Sequence, residues 1–240
     1  MRFLSLPAEP ATDGRADEDL IPRAAALGPV ARVWDAPRGL VVPRTYAALP
    51  GFDTACAAFA REGWPIAVRQ SGGGVVPQGP GILNLSLALP VDGRPLDHSD
   101  TLYRLLCDVI QAALAPLGIE ARPQAVEGSF CDGRFNLAVG APARKIAGTA
   151  QVWRRVPEGP PGRHIGLAHA LILAQIDPAV LTRQANRLET MLGTSRRYLS
   201  ERIASLDTLA PAPASGFPDA LRTRLEDALA AAWPDLTTDR

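Results

Sequence analysis

The sequence predicts an α+β fold built on a mixed, mostly antiparallel central sheet. Three observations carry this. Short apolar runs of strand length recur between glycine- and proline-rich turns over residues 31–89. One long stretch at 97–117 repeats its apolar residues at helical spacing. Three strand patterns then follow one another over 135–176 before the chain turns helical again.

The elements are expected in this order. Residues 1–29 read as an irregular lead-in rich in Pro, Ala and acidic residues, with a short helix around 20–27. Strands follow at 31–34 and 39–42. Asp53 is placed to cap a helix running to about 62, whose apolar stripe is Ala55, Cys56, Phe59 and Ala60. A strand at 64–69 enters a glycine run. In the next strand, 82–89, Leu83, Leu85 and Leu87 alternate with Asn84 and Ser86. Asp97 or Ser99 starts the clearest helix, with Leu102, Leu105, Leu106, Val109, Ile110, Ala113 and Leu114 on one face and Gly118 as its stop. Strands are expected at 135–139, 145–154 and 164–176. The last is apolar at odd and even positions, as in a strand covered on both faces. A hairpin tip occupies 157–162. Helices at 177–192 and 195–206, a linker at 210–216 and a helix at 219–233 complete the chain.

With 47% hydrophobic residues, 21% charged and no net charge, the chain reads as a soluble globule with a sizeable core. Balanced charge argues against nucleic acid or an anionic membrane as partner. No run approaches the roughly 18–20 apolar residues of a membrane span, and the N-terminus lacks the apolar core of a signal peptide. Cys56, Cys107 and Cys131 are odd in number, far apart and free of CxxC spacing. They fit neither a disulfide framework nor a zinc site, and a reducing cytoplasm is expected. His98, His164 and His169 are too scattered for a metal cluster.

Three segments stand out chemically. Lys145 is the one lysine among 25 basic residues; it reads either as selected for its compact ammonium, which can donate to one oxygen from several directions, or as one surface lysine left by chance in an Arg-biased chain. Arg69 to Val76 (RQSGGGVV) follows a strand, and Gly72, Gly73 and Gly74 invite positive φ angles or close approach of another group to bare backbone. A tight turn would explain the same glycines. The segment matches neither a Walker loop nor GxGxxG. A second cluster, Gly79-Pro80-Gly81, follows. Cys131 lies in a turn beside Asp132-Gly133, whereas Cys56 and Cys107 sit on apolar helix faces as core filler. A turn thiol near a cation, here Arg134, Arg144 or Lys145, can ionise and act as a nucleophile; an inert free thiol is the plainer alternative. His169, on the long apolar strand, reads as a core histidine or a general base.

Taken together, Arg69–Val76 and Arg144–Gln151 (RKIAGTAQ) resemble the paired motifs of the lipoate-protein ligase, octanoyltransferase and biotin-protein ligase superfamily. The resemblance covers residues 30–205, with 206–240 packed on the same domain. It implies that superfamily's catalytic-domain fold, a sheet flanked by helices around a pocket for an octanoyl or lipoyl group. Lys145 would hold the acyl carbonyl, and Arg69, Ser71, Gly72–Gly74, Gly79, Gly81, Asn136, Gly148, Thr149 and Ala150 would line or shape the substrate site. Residues 128–137 (GSFCDGRFNL) resemble the segment of the cysteine-dependent transferases that carries their nucleophile, which falls on Cys131. Asn136 stands where they have Asp, and about two extra residues precede Lys145. The transferase reading requires no cofactor, takes the acyl group from an acyl carrier protein or octanoyl-protein, and delivers it to a lipoyl-domain protein such as glycine cleavage H protein or a 2-oxoacid dehydrogenase E2. The alternatives are a ligase using ATP and Mg through an acyl-adenylate, and a non-catalytic protein that binds lipoate or lipoyl domains. Pro77-Gln78 in place of the ligases' His-Asp weighs against the ligase.

Overall fold

The computed structural model describes residues 3–7, 15–70, 72–156, 162–211 and 216–232. Its elements in order are β1 (Leu4–Ser5), α1 (Leu20–Leu27), β2 (Val30–Trp34), β3 (Gly39–Pro43), α2 (Phe52–Arg61), β4 (Ile66–Arg69), β5 (Val76–Gln78) and β6 (Ile82–Asp92). There follow α3 (Pro95–Leu114), β7 (Arg122–Pro123), β8 (Leu137–Val139), β9 (Arg144–Arg155), β10 (Arg163–Leu173), α4 (Pro178–Met191) and α5 (Phe217–Ala231). A seven-stranded sheet has the order β1-β2-β6-β10-β9-β8-β7, and every neighbouring pair is antiparallel except β1–β2. A three-stranded sheet, β4-β3-β5, stands apart, with β3–β4 parallel. This is the mixed, mostly antiparallel α+β architecture expected.

The centre of the large sheet explains why 164–176 is apolar on both parities. Ala168, Ala170 and Ile172 of β10 join the cluster that buries the Leu102, Leu106, Val109 and Ile110 stripe of α3. Leu171 and Leu173, on the opposite face, join Phe59 of α2 and Leu188 of α4 in a second cluster. Each large side chain so enclosed contributes about 1.5–3 kcal/mol. Helix α5 buries Leu221, Leu225 and Leu229 in the α3 cluster, away from the second. Within the lead-in, Leu4–Ser5 adds a parallel edge strand to β2 that its composition did not announce.

Three sequence expectations need correction. Gly51, with φ of 80°, is the N-terminal cap of α2; Asp53 lies in the first turn, where its charge complements the helix dipole. Residues 195–206 are not an α-helix. They run mostly extended with a short 3₁₀ turn at Ser200–Arg202, because their backbone bonds go across the chain, Leu199 N–H to Gly128 O and Ala204 N–H to Lys145 O. Tyr198 and Ile203 are thereby buried in the second cluster. The strand expected to reach 176 ends at Leu173. Most of the hairpin tip (157–161) and of the linker (212–215) lies outside the described residues.

Gly81 tests the junction between the sheets. Its φ is 83°, and a Cβ there would sit 1.8 Å from the backbone oxygen of Gln175. Gly81→Ala is expected to cost about 2 kcal/mol or more, read as a lowered midpoint in urea denaturation.

Candidate active site

Antiparallel pairing of β8 with β9, through a register shift between Leu137 and Ala138, folds the 130–136 turn back against Lys145. Lys145 is 2% exposed. Its Nζ donates to the carbonyl oxygens of Phe130 and, at 3.3 Å, of Cys131. An ammonium has three N–H donors, and the third has no partner among the described residues. The side chain folds over Gly148, where a Cβ would lie 2.6 Å from Nζ; glycine at 148 makes room for the lysine. Burial is the main cause that lowers the Lys145 pKa from 10.5 to about 8; Cys131 and Asp132 pull it upward and Arg69 pushes it down.

Cys131 is the one non-glycine residue with positive φ (48°) among those described. This left-handed conformation is one that few side-chain-bearing residues adopt, and neighbouring bonds hold it. Asn136 Nδ2 donates to the Cys131 carbonyl at 3.0 Å, Asn136 N–H bonds Gly133 O, and Asp132 accepts from Val126 N–H at 2.7 Å. The thiol is half-buried and rests on the glycine loop: a Cβ on Gly73 would be 2.4 Å from Sγ and 2.9 Å from Arg69 Nη2. Sulfur and guanidinium therefore meet at one bare α-carbon. Asn136 Oδ1 is buried without a partner, 3.6 Å from the same Gly148 position that Nζ overhangs.

The glycine loop is gripped from two sides. Arg69 donates to Val41 O at 3.1 Å and to Gly72 O and Gly74 O at 2.9 Å. Opposite, the fully buried Glu189 accepts from Tyr46 and Tyr198 hydroxyls, both at 2.7 Å. The Tyr198 oxygen in turn accepts from Val75 N–H, and Arg196 donates to Gly73 O. A Cβ on Gly74 would lie 2.7 Å from that tyrosine oxygen. Tyr198 also packs on Phe130, ring centroids 5.1 Å apart, so one side chain braces both the loop and the carbonyl that binds Lys145.

These groups close one end of a cleft of about 850 Å³, counting its open mouth. Its walls are Val41, Val76 and Gln78 from the small sheet and Leu167, His169, Leu171 and Leu173 from β10. Cys131, Lys145, Arg69, Gly148, Thr149 and Ala150 all border it. Gly72–Gly74 and Asn136 do not line it. Gly79 and Gly81 do not border the cleft: Gly79 edges a separate hollow beside Arg38 and Trp64, and Gly81 packs on Gln175. Ser71 lies outside the described residues. Of the cations expected near the thiol, Arg134 instead pairs with Asp100 and stacks on Phe135; the guanidinium beside Cys131 is Arg69. Cys107 is buried, its pKa pushed up to about 12 mainly by desolvation, as core filler should be. Sequence reasoning did not reach Tyr46, Glu189 and Tyr198, because nothing local marks a contact spanning 143 residues.

The family model of the lipoyl protein ligase A/B catalytic domain matches residues 16–216. The chain belongs to this family. An uncharacterised protein of Cupriavidus necator is 47% identical over 218 residues, 88% of this chain and 86% of that protein. The octanoyl-[GcvH]:protein N-octanoyltransferase of Kyrpidia tusciae is 44% identical over 119 residues, 49% of this chain and 40% of its own length; the match spans less than half of that enzyme. In fold, the bipartite lipoate protein ligase of Thermoplasma acidophilum superposes with a TM-score of 0.66 at 19% identity, over 96% of this chain and 84% of its own. A lipoate-protein ligase A bound with ATP gives 0.65 at 20%, over 96% and 83%. Among the described residues no helix is long and apolar enough to cross a membrane.

A lysine that keeps its proton less readily folded than unfolded makes stability rise with pH. Below about pH 8 both states hold the proton and the full cost of burying the charge is present; between about 8 and 10.5 the unfolded chain binds more protons, so folding strengthens. Relative to Lys145→Met, the protein should gain about 3 kcal/mol across that window, measured by urea denaturation at pH 8 and pH 10.5.

Proposed function

We propose that this family member transfers an octanoyl or lipoyl group to the acceptor lysine of a lipoyl-domain protein through a thioester on Cys131. The observation that carries the reading is a buried ammonium with one donor unspent, hydrogen-bonded to the backbone of a cleft-lining cysteine. An ATP-dependent ligase has no use for a thiol there.

In the first half-reaction the Cys131 thiolate attacks the donor acyl carbon. A carbon–sulfur bond forms, the carbonyl electrons move to oxygen, and the free N–H of Lys145 meets the oxyanion. Collapse expels the donor's amine or thiol, which takes a proton. In the second, the acceptor lysine amine attacks the thioester, again against Lys145, and Cys131 leaves as thiolate while the amine loses a proton. Because Lys145 already spends two N–H groups on fixed carbonyls, its third is oriented before charge develops, and that preorganisation is what lowers the barrier. Splitting the transfer lets donor and acceptor use one surface in turn. The glycine cleavage H protein is the partner class favoured by the names of the transferase relatives.

Incubation with octanoyl-H protein should add one octanoyl mass to the chain, mapped to Cys131 by peptide mass spectrometry, and Cys131→Ser should abolish both adduct and transfer. Unchanged turnover in that variant, or release of pyrophosphate from ATP and lipoate, would favour the ligase instead. Ligand binding without turnover in either assay would leave a binding protein. Lys145→Ala is expected to lower the transfer rate about 100- to 1,000-fold, the range for loss of one oxyanion donor. The wild-type rate should fall above about pH 8 as the ammonium deprotonates, followed in stopped assays across pH.

A further inference from the structure

The cleft has a second built feature, away from Cys131. His169 Nδ1 lies 2.9 Å from Asp17 Oδ2. The same carboxylate oxygen accepts from the Ser86 hydroxyl at 2.9 Å, and Ser86 accepts from Trp34 Nε1 at 3.0 Å. Asp17 is 6% exposed, and Ser86 and Trp34 are fully buried. Asp17 and His169 both line the cleft, and the second ring nitrogen of His169 has no partner among the described residues. Burial opposes the Asp17 charge, but the attraction of His169 and the hydrogen bonds from His169 and Ser86 outweigh it, so the carboxyl stays below its usual pKa. A buried aspartate is a costly wall for a channel that meets only methylenes.

Strand register places this pair relative to the chemistry. The Lys145 amine overhangs Gly148, which pairs with Leu171. His169 pairs with Ala150, two residues further, or about 7 Å along the strands. An acyl group with its carbonyl at Lys145 passes Leu171 first and meets His169 with its outer carbons. That separation also removes His169 from the reacting carbonyl and disfavours it as general base.

Building on the thioester reading above, we propose that His169, oriented by Asp17, forms a recognition site for a hydrogen-bonding substituent, a hydroxyl or thiol, on the outer carbons of a medium-chain acyl group. With Nδ1 engaged by the carboxylate, Nε2 accepts a hydrogen bond in the neutral ring and donates one in the charged ring. A hydroxyl or thiol answers either state, whereas a saturated chain answers neither. The cargo class is then a hydroxyacyl group or the reduced, dithiol form of a lipoyl group, in preference to plain octanoyl.

The test uses the full chain with equal amounts of H protein carrying octanoyl or 8-hydroxyoctanoyl, reading the two adduct masses on Cys131. The hydroxylated adduct should exceed the octanoyl one about fivefold, the scale of one net hydrogen bond. The ratio should fall to one or below in His169→Phe and recover in part in His169→Gln, whose amide restores a polar contact. Equal or preferential octanoyl loading of wild type overturns the proposal while leaving the Cys131 mechanism standing. Calorimetry with free octanoate, 8-hydroxyoctanoate and dihydrolipoate reads the same preference without any transfer. Loss of both adducts would therefore indict the thioester and not the recognition site. Tighter binding of either substituted acid supports the site and names its substituent; weaker binding of both sinks it.

Discussion

The rest of this site depends on where one ammonium is held. Lys145 is almost wholly buried, so most of its charge must be met by fixed dipoles, and the backbone carbonyls of Phe130 and Cys131 supply them. That demand shapes the surroundings. It draws the 130–136 turn onto β9, leaves no space for a side chain at Gly148, and brings the sulfur of Cys131 onto the bare backbone of Gly73. A guanidinium, with its broad fork, could not enter the same space, which gives the lone lysine of an arginine-rich chain a physical reason.

The second requirement is that the glycine loop stay where the thiol needs it. Three consecutive glycines are expensive to order. Here Arg69 ties their carbonyls from one side, while the Glu189–Tyr46–Tyr198 cluster and Arg196 hold the loop from the other. The loop is thus rigid by its neighbours and not by its own composition. The two hydrophobic clusters extend this support outward: one fixes β10 through α3, the other fixes the tyrosines through α2 and α4.

Much of this was legible in the sequence, and the exceptions have a common cause. The α3 stripe, the alternation of Leu83, Leu85 and Leu87, and the doubly apolar β10 are local patterns, and the structure shows them as expected. Lys145 and Cys131 were conspicuous by rarity and by turn chemistry. What escaped notice is held by distant partners. Residues 195–206 carry apolar residues at helix-like intervals, yet their backbone bonds go to Gly128 and Lys145. Asp17 sits in a stretch that composition alone marks as irregular, and only folding brings it to His169, 152 residues away. Of the three cations expected near the thiol, Lys145 is there, whereas Arg134 pairs with Asp100; the guanidinium at the sulfur is Arg69, because β4 ends beside the loop.

The posture of Cys131 has a geometric consequence for the handedness of the proposed transfer. Its sulfur leans on Gly73 with Arg69 close by, so those flanks are screened, and in the proposed transfer the acyl carbon would come from the side away from them. An acyl group lying along β9 and β10 with its oxygen toward Lys145 would then present a single face to the sulfur. Each tetrahedral adduct formed here would share one chirality, whichever protein delivers or receives the cargo.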